Sequence, residues 1–292
     1  MILVTGAAGF VGGHLLPQLG ERAVAAEADV LDASALAAEV SAVEPSAVVH
    51  LAALSSVGES WADPIETWRV NVLGTLHVLQ AAAPGTRILL ASTGEVYGRS
   101  RELPASEDAP LDPVSPYGAS KAAAELACAP ARARGDLEIV ITRAFSTEGP
   151  GRDERFAVGS WARQIAELEQ TGAGTLRVGD LSAKRDIVDV RDASRAYALL
   201  LDPAVAADTY NIASGTAVGM QHVLDVLLGL ARCEVQVEPD PERMRPADLP
   251  ELWGDPAKLH AATGWKAEIP LEQTLADTLD YARETVAKGA RT

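Results

Sequence analysis

Short apolar runs alternate with longer amphipathic stretches through the first half of the chain. Such runs predict parallel strands, and the stretches between them predict helices that cover both faces of a sheet. The predicted strands are Ile2–Val4, Ala23–Ala26, Ala47–Leu51, Arg87–Ala91 and Leu137–Arg143. The predicted helices are Val11–Leu19, Leu36–Val43, Pro64–Ala82 and Pro116–Ala133. This half of the chain therefore predicts an α/β fold with a doubly wound parallel sheet.

The pattern changes at Glu148-Gly149-Pro150-Gly151, where glycine and proline indicate an exit from this sheet. Beyond it the predicted strands are Gly174–Gly179, Tyr210–Ile212 and Glu234–Glu238, and the predicted helices are Ala157–Leu168, 218–230 and Leu271–Lys288. Ile187–Leu201 predicts a strand end and a helix that return to the first lobe. We expect a first lobe of residues 1–148, rejoined by 186–213, and a smaller α/β lobe of residues 149–185 and 214–292.

Composition and charge narrow the class of protein. The 292 residues include 25 basic and 41 acidic side chains, a net charge of −16. This balance argues against nucleic acid as a partner, because nucleic-acid binding depends on clustered Lys and Arg. No apolar run is long enough for a bilayer and no secretion signal opens the chain, so we expect a cytoplasmic protein without a membrane partner. Two cysteines and five scattered histidines predict neither a disulfide framework nor a metal site.

Three glycines follow the first predicted strand and open the first predicted helix. They lie in Thr5-Gly6-Ala7-Ala8-Gly9-Phe10-Val11-Gly12. In a dinucleotide-binding turn, Gly6 permits the tight turn, Gly9 lets the backbone approach the pyrophosphate, and Gly12 lets the helix pack closely on the strand. The helix N-terminus at Phe10 and Val11 then meets the phosphates with free N–H groups. The segment predicts a cofactor site for NAD or NADP.

The choice between these cofactors depends on the end of the second predicted strand. An acidic side chain there binds the 2′-hydroxyl of the adenosine ribose in NAD, whereas NADP needs a nearby Arg or Lys. Glu27 and Asp29 occupy this position, and no basic residue follows until Arg69, which favours NAD. Arg22, just before the strand, keeps NADP open. Asp29 with Val30 can alternatively hydrogen-bond the adenine amino group.

Three further residues predict redox chemistry at a carbonyl group. Tyr117 and Lys121 are four residues apart and share one face of a helix. A free tyrosine titrates at about 10, but a nearby ammonium group and the positive nicotinamide ring would stabilise its phenolate. Thr93, at a strand end, can hydrogen-bond the same oxygen. Tyr117 is then the residue that moves the proton while a hydride moves between nicotinamide and carbon.

Glu95 has three open interpretations. As a carboxylate two residues past Thr93, it can deprotonate a carbon next to a carbonyl, as sugar dehydration requires. It can equally be an ion-paired scaffold residue or a hydrogen-bond acceptor for a sugar.

These motifs resemble those of the extended short-chain dehydrogenase/reductases that act on nucleotide sugars. Supporting segments are His50-Leu51-Ala52-Ala53, Asn71-Val72-Leu73-Gly74-Thr75, Ser115-Pro116-Tyr117, Glu148-Gly149-Pro150-Gly151, Lys184-Arg185-Asp186 and Asp189-Val190-Arg191-Asp192. The resemblance covers nearly the whole chain. It implies a Rossmann fold with a C-terminal nucleotide-sugar lobe, and a homodimer in which helices such as 64–82 and 116–133 pack against the partner.

Within this family the chain is most similar to the reductases of GDP-4-keto-6-deoxy-D-mannose, which form GDP-D-rhamnose. The similar segments are 55–61, 156–165, 244–250 and 254–256. The similarity implies reduction of a 4-keto nucleotide-linked 6-deoxyhexose by NADH or NADPH. The alternative is a 4,6-dehydratase or 4-epimerase that recycles tightly bound NAD. A non-catalytic redox-sensing protein that binds NAD(P) is a remote alternative, because such proteins lose the Tyr or Lys that this chain retains.

The resemblance also implies roles for individual residues. Those that pass under the cofactor are Ala52 and Ala53, and those that face the sugar are Ser55, Ser56, Val57, Thr93, Glu95 and Ser146. Arg185 and Arg245 reach the nucleotide or its diphosphate, where a bidentate guanidinium suits phosphate oxygens. Ser146 and Asp180 each stand where Asn is expected. Gly94 stands where 4,6-dehydratases carry Asp or Ser, which argues for reduction.

Overall fold

The computed structural model describes residues 1–100, 102–244 and 249–289 of the chain. The strands are β1 Ile2–Thr5, β2 Ala23–Ala25, β3 Ala47–His50, β4 Arg87–Thr93, β5 Glu138–Ala144, β6 Ser146–Glu148, β7 Ala173–Val178, β8 Lys184–Asp189, β9 Thr209–Ile212, β10 Ala217–Gly219, β11 Glu234–Pro239 and β12 Glu251–Leu252. The helices are α1 Phe10–Leu19, α2 Ala33–Val43, α3 Val57–Ala62, α4 Pro64–Trp68, α5 Gly74–Ala81, α6 Pro116–Arg134, α7 Ala157–Thr171, α8 Val190–Leu200, α9 Met220–Leu230, α10 Ala257–Thr263 and α11 Leu271–Gly289.

Six strands form one parallel sheet in the order β2-β1-β3-β4-β5-β9. Every residue of β1, β3 and β9 is buried, as expected for a parallel sheet covered on both faces. One face packs against α1 and α8 through residues such as Leu15 and Leu200. The other face packs against α2 and α6 through residues such as Leu36 and Ala124. The predicted doubly wound sheet is confirmed.

The second half of the chain adds two smaller sheets. In one, β8 pairs with β10, β12 and β6, and in the other β7 pairs with β11. Their core includes Trp161, Leu224 and Leu279, which come from α7, α9 and α11. Strand β9 returns to the main sheet beside β5, where the sequence predicted Tyr210–Ile212. The lobe boundaries given above stay a proposal.

The helical predictions need correction at three points. Helices α3 and α10 were not predicted, and the single helix expected over Pro64–Ala82 is interrupted by a π-helical segment, Arg69–Leu73. This segment turns Asn71 inward, where its amide donates hydrogen bonds to the Leu54 carbonyl and the Ser120 hydroxyl. The buried polar contacts of Asn71 therefore override the regular helical period. The helix expected over 218–230 begins later, at Met220, because residues 217–219 pair with β8.

Across the ranges that the structure describes, no helix has the length and apolar character needed to cross a lipid bilayer.

Candidate active site

A cleft of about 1220 Å³ opens at the carboxyl ends of β1, β3, β4 and β5, between the main sheet and the smaller sheets. Ligands of open α/β sheets bind outside the carboxyl ends of the strands. The cleft is larger than the range of roughly 300–1,000 Å³ that holds one small ligand. It therefore has room for two ligands side by side.

Most of the residues predicted for the site line this cleft. They are Gly6, Gly9, Phe10, Val11, Gly12, Ala53, Ser55, Ser56, Val57, Thr93, Glu95, Tyr117, Lys121, Ser146 and Arg185. Ala52 lies directly under the glycine turn, since a Cβ added to Gly6 would lie 2.5 Å from the Ala52 nitrogen. Arg245 lies outside the described residues. The roles of all these residues stay predictions.

Three residues predicted at the adenosine end lie outside the lining of the cleft: Glu27, Asp29 and Val30. Glu27 and Asp29 are exposed. The Glu27 backbone N–H donates to the Glu39 carboxylate, and the Asp29 carboxylate accepts from the Leu31 N–H. Val30 is buried, and its carbonyl lies 2.7 Å from His77 Nδ1. Val30 therefore packs under this end of the cradle, while the two carboxylates lie at its surface.

The glycine turn packs closely against neighbouring backbone. Gly6 adopts a φ of +66°, and a Cβ at Gly12 would lie 2.4 Å from the Ala7 carbonyl oxygen, so neither position accepts a side chain. Helix α1 then begins at Phe10, and no side chain caps it at Gly9. Its first N–H groups have no intrahelical partner and carry the positive end of the helix dipole. These features fit the pyrophosphate of a dinucleotide.

Helix α6 and strand β4 bring three side chains together, and we call Thr93, Tyr117 and Lys121 the reacting end of the cleft. The Ser115 hydroxyl caps α6 by accepting from the Gly118 N–H, and Pro116 follows at the first helical position. The Thr93 hydroxyl accepts a hydrogen bond from the Glu95 N–H, and its proximity to the Tyr117 phenol lowers the pKa of that phenol. Their exposed fractions are 9% for Tyr117, 8% for Thr93 and 4% for Lys121.

Burial dominates the electrostatics of the reacting end. It raises the pKa of Tyr117; the Thr93 hydroxyl lowers this pKa, the Glu95 carboxylate raises it further, and the charge of Arg152 lowers it. Burial lowers the pKa of Lys121 to about 8, and the Glu125 carboxylate opposes this shift. Tyr117 is therefore held as a neutral phenol, the form that donates a proton to a carbonyl oxygen.

A buried polar network supports the reacting end from behind. The Glu125 carboxylate, one turn beyond Lys121 on α6, accepts from the Ser92 hydroxyl and from the Arg143 guanidinium. Arg143 also donates to the Tyr97 hydroxyl at 3.1 Å. Ser92 precedes Thr93 on β4, so the network fixes both the strand end and the helix face that carry the reacting groups.

The opposite wall of the cleft carries the charged side chains of Asp180, Arg185, Glu242 and Arg243. We call this wall the nucleotide end, because we propose below that a nucleotide binds there. Arg185 is 8% exposed, and its guanidinium donates to the Lys184 and Leu249 carbonyls. Arg243 donates to the Ser160 hydroxyl at 2.9 Å. Sequence reasoning missed Glu242, Arg243 and Arg152 because no motif separates them from other surface charges.

Comparison with known proteins identifies one matching family and two similar enzymes. A family profile described as GDP-mannose 4,6 dehydratase matches residues 20–278. GDP-6-deoxy-D-mannose reductase of Pseudomonas aeruginosa is 37% identical over 94% of this chain and 94% of that protein. UDP-glucose 4-epimerase of Mycolicibacterium smegmatis is 30% identical over 96% of this chain and 98% of that protein.

Two solved structures are similar to this chain over nearly its whole length. RMD from Pseudomonas aeruginosa, complexed with NADPH, superposes with a TM-score of 0.88 at 34% identity, over 97% of this chain and 99% of that one. UDP-glucose 4-epimerase of Thermus thermophilus, in complex with NAD, superposes with a TM-score of 0.83 at 29% identity, over 97% of this chain and 98% of that one.

Proposed function

The chain belongs to the GDP-mannose 4,6-dehydratase family of extended short-chain dehydrogenase/reductases, and we propose that it reduces the 4-keto group of GDP-4-keto-6-deoxy-D-mannose to give GDP-D-rhamnose. NADH or NADPH is the reductant. The observation that carries the proposal is the buried pair of Thr93 and Tyr117, which line the same cleft as the glycine turn, with room for two ligands.

The chain's own part in this reaction is to deliver a proton. Tyr117 donates its phenolic proton to the carbonyl oxygen, while the Thr93 hydroxyl hydrogen-bonds the same oxygen and orients it. Lys121, one helical turn away, stabilises the phenolate that remains. When bound, the dinucleotide supplies the hydride for the carbonyl carbon.

Reduction is favoured over dehydration by the packing around Gly94. A Cβ at this position would lie 2.8 Å from two ring atoms of Phe145. The same ring would lie 2.2 Å from a Cβ at Gly254, so it has no free side toward which to move. The acid that dehydratases carry next to the threonine has no space here. Glu95 is then a substrate-binding carboxylate rather than a dehydration base.

Substrate binding divides between sugar and nucleotide. We assign Ser55, Ser56 and Ser146 to the sugar, because their hydroxyl groups suit a polyhydroxylated ring. The diphosphate is assigned to Arg185, together with Arg245 outside the described residues. GDP is the nucleotide proposed, in keeping with the name of the Pseudomonas relative.

NADH is the cofactor that the adenosine end favours. The Glu27 and Asp29 carboxylates are exposed there, and Glu39 adds a third carboxylate to the same loop. The Arg22 side chain turns back to donate to the Leu19 carbonyl at 3.3 Å. Three carboxylates around this loop disfavour the extra phosphate of NADPH.

A homodimer, acting in the cytoplasm, completes the proposal. Helices α4, α5 and α6 lie side by side and leave several large apolar side chains exposed. The exposed fractions are 80% for Ile65, 68% for Leu126 and 40% for Leu76. An apolar patch of this kind on a soluble enzyme is typical of a subunit interface.

The test is a ketoreductase assay with GDP-4-keto-6-deoxy-D-mannose, with NADH and NADPH in separate reactions. We expect substrate-dependent oxidation of the reduced nicotinamide, faster with NADH, and GDP-D-rhamnose as product. No net oxidation, together with NAD that copurifies with the protein, would instead establish the dehydratase or epimerase alternative.

A further inference from the structure

The backbone N–H group of Tyr117 has its hydrogen-bond partner on a different helix. Tyr117 is the second residue of α6, and the N–H groups of the first helical turn have no intrahelical acceptor. Pro116 carries no N–H group, and the Gly118 N–H donates to the Ser115 hydroxyl at 3.0 Å. The Tyr117 N–H donates instead to the Ser60 hydroxyl of α3, at 3.1 Å. Ser60 therefore completes the N-terminus of the helix that carries the reacting groups.

The Ser60 hydroxyl is buried and makes two hydrogen bonds. Ser60 is 1% exposed, and its hydroxyl donates to the Val57 carbonyl at 2.7 Å while it accepts from Tyr117. Without this hydroxyl, a buried N–H group would lose its acceptor, which is costly in free energy. The first turn of α6 would then have to shift to satisfy that group.

Ser60 also belongs to the segment that we assign to the sugar. Residues 55–58 line the cleft, and α3 begins within them at Val57. The Ser60 N–H donates to the Ser56 carbonyl at 3.0 Å, and the Ser60 hydroxyl donates to the Val57 carbonyl. One side chain thus joins the sugar-facing backbone to the Tyr117 backbone, so a displacement of either is passed to the other.

The other end of the sugar-facing segment is linked to Tyr117 as well. The Asn71 amide accepts from the Leu54 N–H at 2.9 Å and donates to the Leu54 carbonyl at 3.0 Å. The same amide donates to the Ser120 hydroxyl, which donates to the Tyr117 carbonyl at 2.7 Å. Tyr117 is therefore held at its carbonyl through two side chains and at its N–H group directly by Ser60.

We propose that Ser60 is a positioning residue for the proton transfer, one that holds the Tyr117 phenol in place relative to a sugar bound on residues 55–57. The inference rests on the proposed function for the role of Tyr117 and for the sugar. Ser60 acts through the Tyr117 backbone, not on the reacting atoms. Because a misplacement of about 1 Å can cost roughly 100-fold in rate, a small shift of the first turn of α6 is enough to slow the reaction.

The competing explanation is that Ser60 only stabilises the packing of helices on α6. Thr67 provides a matched control for this explanation. It lies on α4, which also packs against α6, it is 2% exposed, and its hydroxyl donates to the Asp63 carbonyl at 2.8 Å. Thr67→Val removes a buried hydroxyl from the same region and leaves the acceptor of the Tyr117 N–H in place.

The kinetic experiment compares wild type, Ser60→Ala, Ser60→Cys and Thr67→Val in the reduction of GDP-4-keto-6-deoxy-D-mannose by NADH. We expect Ser60→Ala to lower kcat by about 10- to 100-fold and to change the KM for the sugar by less than about threefold. Ser60→Cys, which keeps a weaker acceptor of similar shape, should lose less. Thr67→Val should keep the wild-type kcat. NADH affinity, measured by calorimetry, should be the same in all four proteins.

Amide hydrogen exchange of the ligand-free proteins tests the contact without turnover. The Tyr117 N–H should exchange at least about tenfold faster in Ser60→Ala than in wild type, because its buried acceptor is gone. Its exchange in Thr67→Val should match wild type. Equal exchange in Ser60→Ala and wild type would show that Ser60 does not hold Tyr117 and would overturn the inference.

An unchanged kcat in Ser60→Ala, an equal loss in Thr67→Val, or a loss that appears only as weaker NADH binding would also overturn it. The proposed function is judged separately, by the ketoreductase activity of the wild type. A wild type that reduces no keto sugar would refute that function, whereas hydrogen exchange would still decide whether Ser60 holds Tyr117. Far-ultraviolet circular dichroism excludes variants that fail to fold, and Ser60→Cys carries the test if Ser60→Ala is one of them.

Discussion

Side chains at the reacting end of the cleft come from regular elements of the main sheet lobe, whereas most of those at the nucleotide end come from loops. Tyr117 and Lys121 sit on α6, are less than a tenth exposed and are supported by a buried network. Arg243 lies in a short 3-10 turn, and its side chain is 40% exposed. Buried Arg185, on β8, is the exception. The contrast teaches that the side chains proposed to move the proton are held by burial and a polar network, whereas those proposed to recognise the substrate are held by fewer contacts.

The largest effect is expected at the reacting end. Tyr117→Phe should lower kcat by about 10³-fold, because it removes the phenol that we propose as the proton donor. NADH affinity, measured by calorimetry, should change less than about twofold, since the phenol hydroxyl adds little to ground-state binding. Tyr197→Phe, which also removes a buried hydroxyl beside the cleft, is the matched control and should keep most of the activity. Equal losses in both variants would show that packing, not proton donation, explains the result.

Burial of the Lys121 ammonium group at the reacting end should lower the free energy of unfolding. Burial lowers its pKa from 10.5 to about 8, so the folded state binds this proton more weakly than the unfolded state. At pH 7 the full cost is present, and Lys121→Met should raise the free energy of unfolding of the ligand-free protein by about 3 kcal/mol while reducing turnover.

The pH dependence of the free energy of unfolding is the control for the Lys121→Met prediction. As pH rises from about 8 to 10.5, the folded state of the wild type has already lost this proton and the unfolded state has not, so wild-type stability rises. The difference in free energy of unfolding between Lys121→Met and wild type should therefore shrink over that pH range. Urea unfolding at pH 7 and pH 10 checks it, and a variant less stable than wild type at pH 7 would contradict the prediction.

A smaller effect is expected where the floor of the cleft is tightly packed. Gly94→Ala places a Cβ against Phe145 and should cost about 1–3 kcal/mol in unfolding free energy, the usual range for overpacking. Gly13→Ala, in α1 with open space around it, should instead stabilise the protein by about 0.5–1 kcal/mol. Gly94→Asp should produce no dehydrated sugar. Dehydratase activity in that variant would remove the packing argument for reduction.

The smallest effect is expected at the nucleotide end. Arg243→Met should raise the KM for the nucleotide sugar by roughly threefold to tenfold and leave kcat within about twofold, because binding contacts made equally in both states change KM alone. Arg163→Met, on the outer face of α7, removes the same charge outside the cleft and should change neither constant. A fall in kcat for Arg243→Met would contradict the expectation that changes at the nucleotide end affect KM alone, unlike changes at the reacting end.

The sequence could predict the main sheet because its strands are continuous apolar runs bounded by turn residues. Tyr117 and Lys121 could be predicted as a pair because residues four apart lie on the same face of any helix. The π-helical segment Arg69–Leu73 could not, since it depends on contacts of Asn71 with Leu54, seventeen residues away, and with Ser120, forty-nine residues away. Arg152 could not be found either, because its two ring partners, Phe10 and Phe156, meet only after the lobes pack together.

The packing of Phe145 has a consequence for how ligands enter and leave. The ring is clamped between Gly94, after β4, and Gly254, after β12, and Ala105 forms a parallel bridge with Gly254. These contacts join the main sheet to the smaller sheets at the base of the cleft. We therefore expect ligands to exchange by movement at the rim, with amide hydrogen exchange slow at the base and faster along the rim.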